Sequence, residues 1–154
     1  MDREEKPQAT PDGAAAHRTE TAAGPWVLLV DDNTAARALA GTALRRMGCR
    51  MLLAGNGEKA LQILESGAPP VDVVVTDLDM PGMDGLELLR RIKQSGKHKH
   101  VPVIFWSGHV DPEAQERAAS CGCSLFLPKP IDLDILFEQL TYVLPNPPEL
   151  FAKK

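Results

Sequence analysis

The segment Val73-Val74-Val75-Thr76-Asp77 runs from β-branched apolar residues straight into a carboxylate, and Pro81, Gly82 and Gly85 follow closely. Proline and glycine do not continue a strand, so Asp77 is expected at a strand's carboxyl end. A lone carboxylate is costly to bury and requires a cation, a proton or a hydrogen-bond donor beside it. Three other apolar runs end in polar groups: residues 26–30 run into Asp31 and Asp32, residues 103–106 into Ser107, and residues 125–127 toward Lys129. If the four runs are parallel strands of one sheet, their polar ends meet at the edge where open α/β sheets bind ligands. Three acids in contact raise one another's pKa unless a hard divalent cation holds them. Mg²⁺ suits oxygen donors and keeps positions for phosphate oxygens and water.

The pair Asp31-Asp32, the stretch Asp77-Leu78-Asp79-Met80-Pro81-Gly82-Met83-Asp84-Gly85, Ser107-Gly108 and Lys129-Pro130 occur in this order. Together they resemble the receiver domain of two-component response regulators, over about residues 25–144. The resemblance implies a flavodoxin-like (βα)5 fold, a doubly wound parallel sheet in strand order 2-1-3-4-5. It implies that Asp77 accepts a phosphoryl group from a phosphohistidine on a sensor histidine kinase or a histidine phosphotransfer protein. Mg²⁺ would be held by Asp32, Asp77 and the main-chain carbonyl of Asp79, with Asp31 orienting the metal or its waters. Lys129 would neutralise one phosphoryl oxygen and the Ser107 hydroxyl would bind another. Ser107 and Phe126 would act as the switch that changes the surface of the fourth helix, fifth strand and fifth helix for a downstream protein target. Phe126 departs from the tyrosine common at its position and lacks the hydroxyl. Asp79 and His109 stand two residues beyond the acceptor and beyond Ser107, where they would tune the lifetime of the phosphorylated form. A cis bond before Pro130 would aim the Lys129 ammonium inward. Trp106, adjacent to Ser107, should report the site by fluorescence.

Each residue taken alone has a plainer role. Asp31 or Asp32 could cap a helix, although Asn33 already supplies a cap; Ser107 could be a turn former, Lys129 a solvated charge and Phe126 a core residue. Two other functions compete with a phosphoacceptor that is not itself an enzyme. A phosphorylation-independent binding module would keep the fold without the chemistry, yet every chemical residue is present. A phosphatase of the haloacid dehalogenase type also uses an Asp-x-Asp pair, but here Asp77-Leu78-Asp79 lies on the third strand rather than the first, with little room for a cap.

The 154 residues suffice for one domain with its own core. A net charge of −4 argues against a nucleic-acid surface, and no apolar stretch approaches a membrane span. The first residues are charged and lack an apolar run, so no secretory signal is expected and the location expected is cytoplasmic. Cys49, Cys121 and Cys123 have no partners at zinc spacing and are expected as reduced thiols. Lys97-His98-Lys99-His100 is expected as a solvated basic loop rather than a metal site.

The elements that must position these groups follow from periodicity. Residues 1–25, rich in Pro, Ala, Thr and charge, are expected to be a disordered tail. Residues 26–144 are expected to make the receiver-like domain, and residues 145–154 a short tail too small for a fused output domain; the expectation is a stand-alone receiver that signals through protein contacts or passes the phosphoryl group on as a relay. Strands are expected at 26–30, 50–54, 71–76, 101–106 and 124–127. Asn33, Asn56, Asp84, Asp111 and Asp132 are expected as helix caps, with Pro112 in a first turn and Gly48, Gly67 and Gly96 as stops. The expected inward faces are Ala36, Leu39, Ala43, Leu44 and Met47 in the first helix, and Ala60, Leu61 and Leu64 in the second. Leu86, Leu89 and Ile92 are expected inward in the third, a thin stripe of Ala114, Ala118 and Ala119 in the fourth, and Leu133, Leu136, Phe137, Leu140 and Val143 in the fifth.

Overall fold

The computed structural model describes residues 24–108, 111–129 and 132–144; apart from residues 24 and 25, both tails expected from the sequence lie outside these. Strands and helices alternate as β1 (Trp26–Val30), α1 (Thr34–Arg46), β2 (Arg50–Ala54), α2 (Gly57–Ser66), β3 (Val73–Thr76), α3 (Gly85–Gln94), β4 (Val103–Ser107), α4 (Pro112–Ser120), β5 (Leu125–Pro128) and α5 (Leu133–Val143). All strand pairings are parallel and the order across the sheet is β2-β1-β3-β4-β5. This is the flavodoxin-like arrangement expected from the sequence.

Continuous apolar strands arise because both sheet faces are covered. Along β1, Leu28 and Val30 face one side with Val74, Phe105, Leu88, Leu89 and Ile92, while Val27 and Leu29 face the other with Ile104, Trp106, Leu136 and Leu140. Burying one such leucine or valine contributes about 1.5–3 kcal/mol. Every expected cap forms: Asn33, Asn56, Asp84, Asp111 and Asp132 each accept a main-chain N–H of the first turn through a side-chain oxygen. These bonds satisfy donors that the helices leave without partners, and they fix where each helix leaves the sheet edge.

Several expectations are corrected. β3 begins at Val73 rather than 71, because the ladder opens with the Asp72 N–H donating to the Trp26 carbonyl. β4 begins at Val103 because Pro102 has no N–H to give, and it runs on through Ser107, whose carbonyl accepts from the Lys129 N–H. β5 is correspondingly shifted to Leu125–Pro128. α3 stops at Ser95, which is extended, one residue before Gly96.

Leu39 is 70% exposed rather than inward. The small residues Ala40 and Gly41 lie against the sheet instead, close enough that a Cβ on Gly41 would sit 3.3 Å from a Leu53 methyl. In α3, Leu88 joins Leu89 and Ile92 inside while Leu86 is half-buried; in α4, Ala119 is exposed and only Ala114 and Ala118 are buried.

The three cysteines are free. Burial pushes the Cys49 thiol up to about 12, and burial together with neighbouring Cys121 raises Cys123, which favours the protonated thiol at both Cys49 and Cys123. In the 97–100 segment Lys97, Lys99 and His100 are exposed, as a solvated loop requires, while the main chain is anchored: the Ser95 hydroxyl accepts from Lys97 and His98 N–H groups, and Lys93 Nζ donates to the carbonyls of Lys99 and Val101. Among the described residues no helix is long and apolar enough to cross a membrane.

The α1 orientation is testable by denaturation. Leu44→Ala, at a fully buried position, should cost about 2–5 kcal/mol, and Leu39→Ser should stay within about 0.5 kcal/mol of wild type. Equal losses at both positions would mean the helix faces the sheet differently.

Candidate functional site

Parallel register delivers the acids to one edge. Val30 on β1 is paired with Thr76 on β3, and the Asp77 N–H donates 2.9 Å to the Val30 carbonyl, so Asp31 and Asp77 leave adjacent strands side by side. Asp31, at 1% exposure, is the most buried of the acids. Its Oδ1 accepts from the Asn33 N–H at 2.9 Å and its carbonyl accepts from Arg37 Nη1 at 2.6 Å. Asp77 Oδ1 accepts from the Leu78 N–H at 2.7 Å. Asp32 is exposed at the rim. One carboxylate oxygen from each of Asp31, Asp32 and Asp77 lies within 4.8 Å of the others. An all-oxygen, anionic donor set of this kind fits a hard divalent cation.

The balancing charge comes from the far side of β4. Ser107 is paired with Pro128, and the Lys129 N–H donates 2.7 Å to the Ser107 carbonyl, which sets the lysine just beyond the end of β4. Its Nζ donates 2.7 Å to Asp31 Oδ2 and 3.3 Å to Asp77 Oδ2. The lysine therefore bridges two acids, and the shorter bond goes to Asp31, a pairing the sequence did not foretell.

The electrostatics follow from this arrangement. Burial is the main effect raising the Asp77 carboxyl above the usual carboxylate range; Lys129 opposes it, and the charge of Asp31 adds to it. For Lys129, burial works against the ammonium, but the hydrogen bond and charge of Asp31, followed by Asp77, outweigh it and hold the group above the ordinary lysine range.

The remaining sequence-selected residues distribute as follows. Ser107 is fully buried at the end of β4. Asp79 is exposed on the turn after β3 and lines a shallow cleft with Asp84, Asp111 and Arg117. Phe126 is half-buried, its ring 5.7 Å from that of Phe105 and tilted by 44°. His109 and Pro130 lie outside the described residues.

The turn carrying Asp77 is locked from below. Leu78, Met80 and Met83 are buried in the core, and the Gly85 N–H donates 2.8 Å to the Leu78 carbonyl. At Gly85 an added Cβ would run into the Asp77 carbonyl oxygen and come within 2.7 Å of the Phe105 ring. The sequence marked this glycine only as part of a motif, and its packing role depends on a contact with a distant strand.

The model of the family described as the response regulator receiver domain matches residues 27–141. The chain belongs to this family. Among related receivers, the two-component response regulator ARR17 of Arabidopsis thaliana is 36% identical over 117 residues, covering 70% of this chain and 76% of that protein. The DNA-binding transcriptional regulator NtrC of Escherichia coli (strain K12) is 41% identical over 109 residues, covering 71% of this chain and 22% of that protein. Among solved receiver structures, chemotaxis protein CheY4 of Vibrio cholerae superposes with a TM-score of 0.74 at 27% identity, covering 79% of this chain and all of that one. A response regulator receiver protein from Pseudomonas putida gives 0.72 at 32% identity, covering 79% and 98%.

Substitution at Gly85 tests how the turn that carries Asp77 is held. Gly85→Ala should lower the unfolding free energy by about 1–3 kcal/mol, as overpacking does. Gly96→Ala, where nothing lies within 4 Å of the added carbon, should be neutral or slightly stabilising. A wild-type denaturation midpoint for Gly85→Ala would show that the turn yields freely.

Proposed function

We propose that this receiver takes a phosphoryl group from a phosphohistidine onto Asp77 and uses the phosphorylated form as a signal. The observation that carries this reading is the Lys129 ammonium held against both Asp31 and Asp77 at the carboxyl edge of the sheet. A phosphoacceptor requires a nucleophilic oxygen with a positive group beside it to take up the charge of the arriving phosphoryl oxygens. An Asp77 carboxylate oxygen would attack phosphorus, the bond to the donor imidazole nitrogen would break, and its electron pair would stay with the imidazole. Lys129 would move its charge onto one phosphoryl oxygen, and the Ser107 hydroxyl would donate to another.

Magnesium suits the donor set. Asp32, Asp77 and the Asp79 main-chain carbonyl would hold the ion, with Asp31 orienting it or its waters. When bound, the ion supplies neutralisation of phosphoryl charge. Asp79 and His109 would set how long the phosphoryl group persists. Ser107 and Phe126 would connect the site to the surface of α4, β5 and α5, where a downstream protein would bind. The donor would be a sensor histidine kinase or a histidine phosphotransfer protein, met in the cytoplasm.

Intact-mass measurement after incubation with acetyl phosphate and Mg²⁺ should find one added phosphoryl group on the wild type and none on Asp77→Asn. Lys129→Met should slow the addition by on the order of 10²-fold. No added mass on the wild type would favour a phosphorylation-independent binding module, and repeated turnover of a phosphate ester would favour a phosphatase. Separately, Mg²⁺ at about a hundredfold excess over its dissociation constant should stabilise the wild type by about 2.7 kcal/mol through mass action. The gain should shrink in Asp32→Ala; the same gain in both proteins would remove Asp32 from the metal site.

A further inference from the structure

Trp106 precedes Ser107 on β4 and points to the opposite sheet face from Phe105, into the cluster that contains Leu136, Phe137 and Leu140. It is 8% exposed. Two features of this indole are unlike those of a plain core residue. The Lys129 ammonium lies 5.1 Å from the centroid of its ring. Its Nε1–H is buried and has no hydrogen-bond partner among the described residues. An unpaired buried N–H is a cost that leucine or phenylalanine at this position would avoid. The π face, which attracts a cation more strongly in tryptophan than in other aromatics, accounts for an indole here where its N–H does not.

We propose that Trp106 is a positioning residue for Lys129, its ring face holding the ammonium over the acids at the sheet edge; this rests on the reading of Asp77 as phosphoacceptor. Lys129 starts from the end of β5 and must reach across the end of β4 to meet Asp31 and Asp77, which extend from β1 and β3. Trp106 is on β4, directly on that route, and is paired with Leu127 two residues before the lysine. The ammonium thus has three anchors, two carboxylates and one ring. The carboxylates are the groups a divalent cation would claim. The ring has no such competing role, so it keeps the lysine at the site when the pull of Asp31 and Asp77 is shared.

The test compares Trp106→Leu and Trp106→Phe with wild type, each alone and combined with Lys129→Met, by rate of phosphorylation from acetyl phosphate. Trp106→Leu should be about tenfold slower and Trp106→Phe should recover much of the rate, since a phenyl ring also attracts cations. In the Lys129→Met background, Trp106→Leu should cause no further loss. NMR of the metal-free protein supplies an independent reading: the Lys129 methylene protons nearest nitrogen should be shifted upfield by the indole ring, and should return toward ordinary lysine positions in Trp106→Leu. A wild-type rate in Trp106→Leu, an equal loss with and without Lys129, or unshifted lysine protons in the wild type would each overturn the proposal. A wild type that accepts no phosphoryl group would instead overturn the phosphoacceptor reading and this proposal with it.

Discussion

Negative charge concentrated at one edge of the sheet is the constraint around which this molecule is arranged. Asp31 and Asp77 leave neighbouring central strands and have no room to diverge, because the β1–β3 register fixes them side by side. Their repulsion is answered by a lysine from a strand on the other side of β4. Burial raises the Asp77 carboxyl, and the acids together strengthen the lysine's hold on its proton. The site is therefore a balance of groups that are each uncomfortable alone. The carboxylates of Asp31, Asp32 and Asp77 outnumber the one ammonium set among them.

Much of this was legible in the sequence because the signals were local. Each helix cap is one Asn or Asp with a free main-chain donor a few residues on, and each buried strand is a short apolar run bounded by turn residues. Asp77 was marked as a strand end by the proline and glycines after it. What escaped was set by distance. The α1 face was misjudged at Leu39 because hydrophobicity favours leucine, whereas close approach of helix to sheet favours the small side chains of Ala40 and Gly41. The preference of Lys129 for Asp31, the cover that Trp106 gives the ammonium, and the tight seat of Gly85 against Phe105 are contacts across strands, and nothing adjacent in the chain announces them.

The turn after Asp77 and the outer strand also share a packed boundary. Gly85 abuts Phe105, and Phe105 meets Phe126 on β5. Rings in contact at this separation move together or repack, since a dense interior leaves little slack. The half-buried Phe126 has solvent on one side and this boundary on the other.

The lysine's origin has one more consequence. β5 is an edge strand, and its residues Leu125, Phe126 and Leu127 are only half-buried, unlike the enclosed residues of β1, β3 and β4. Edge strands of this kind are where local fraying starts. If β5 lifted away, it would carry the ammonium with it and leave Asp31 and Asp77 facing each other uncompensated. The bridge therefore works in both directions: the strand delivers a cation to the acids, and the acids act as a clasp on the strand's end, so an edge strand is fastened at the point where its departure would leave two acids uncompensated.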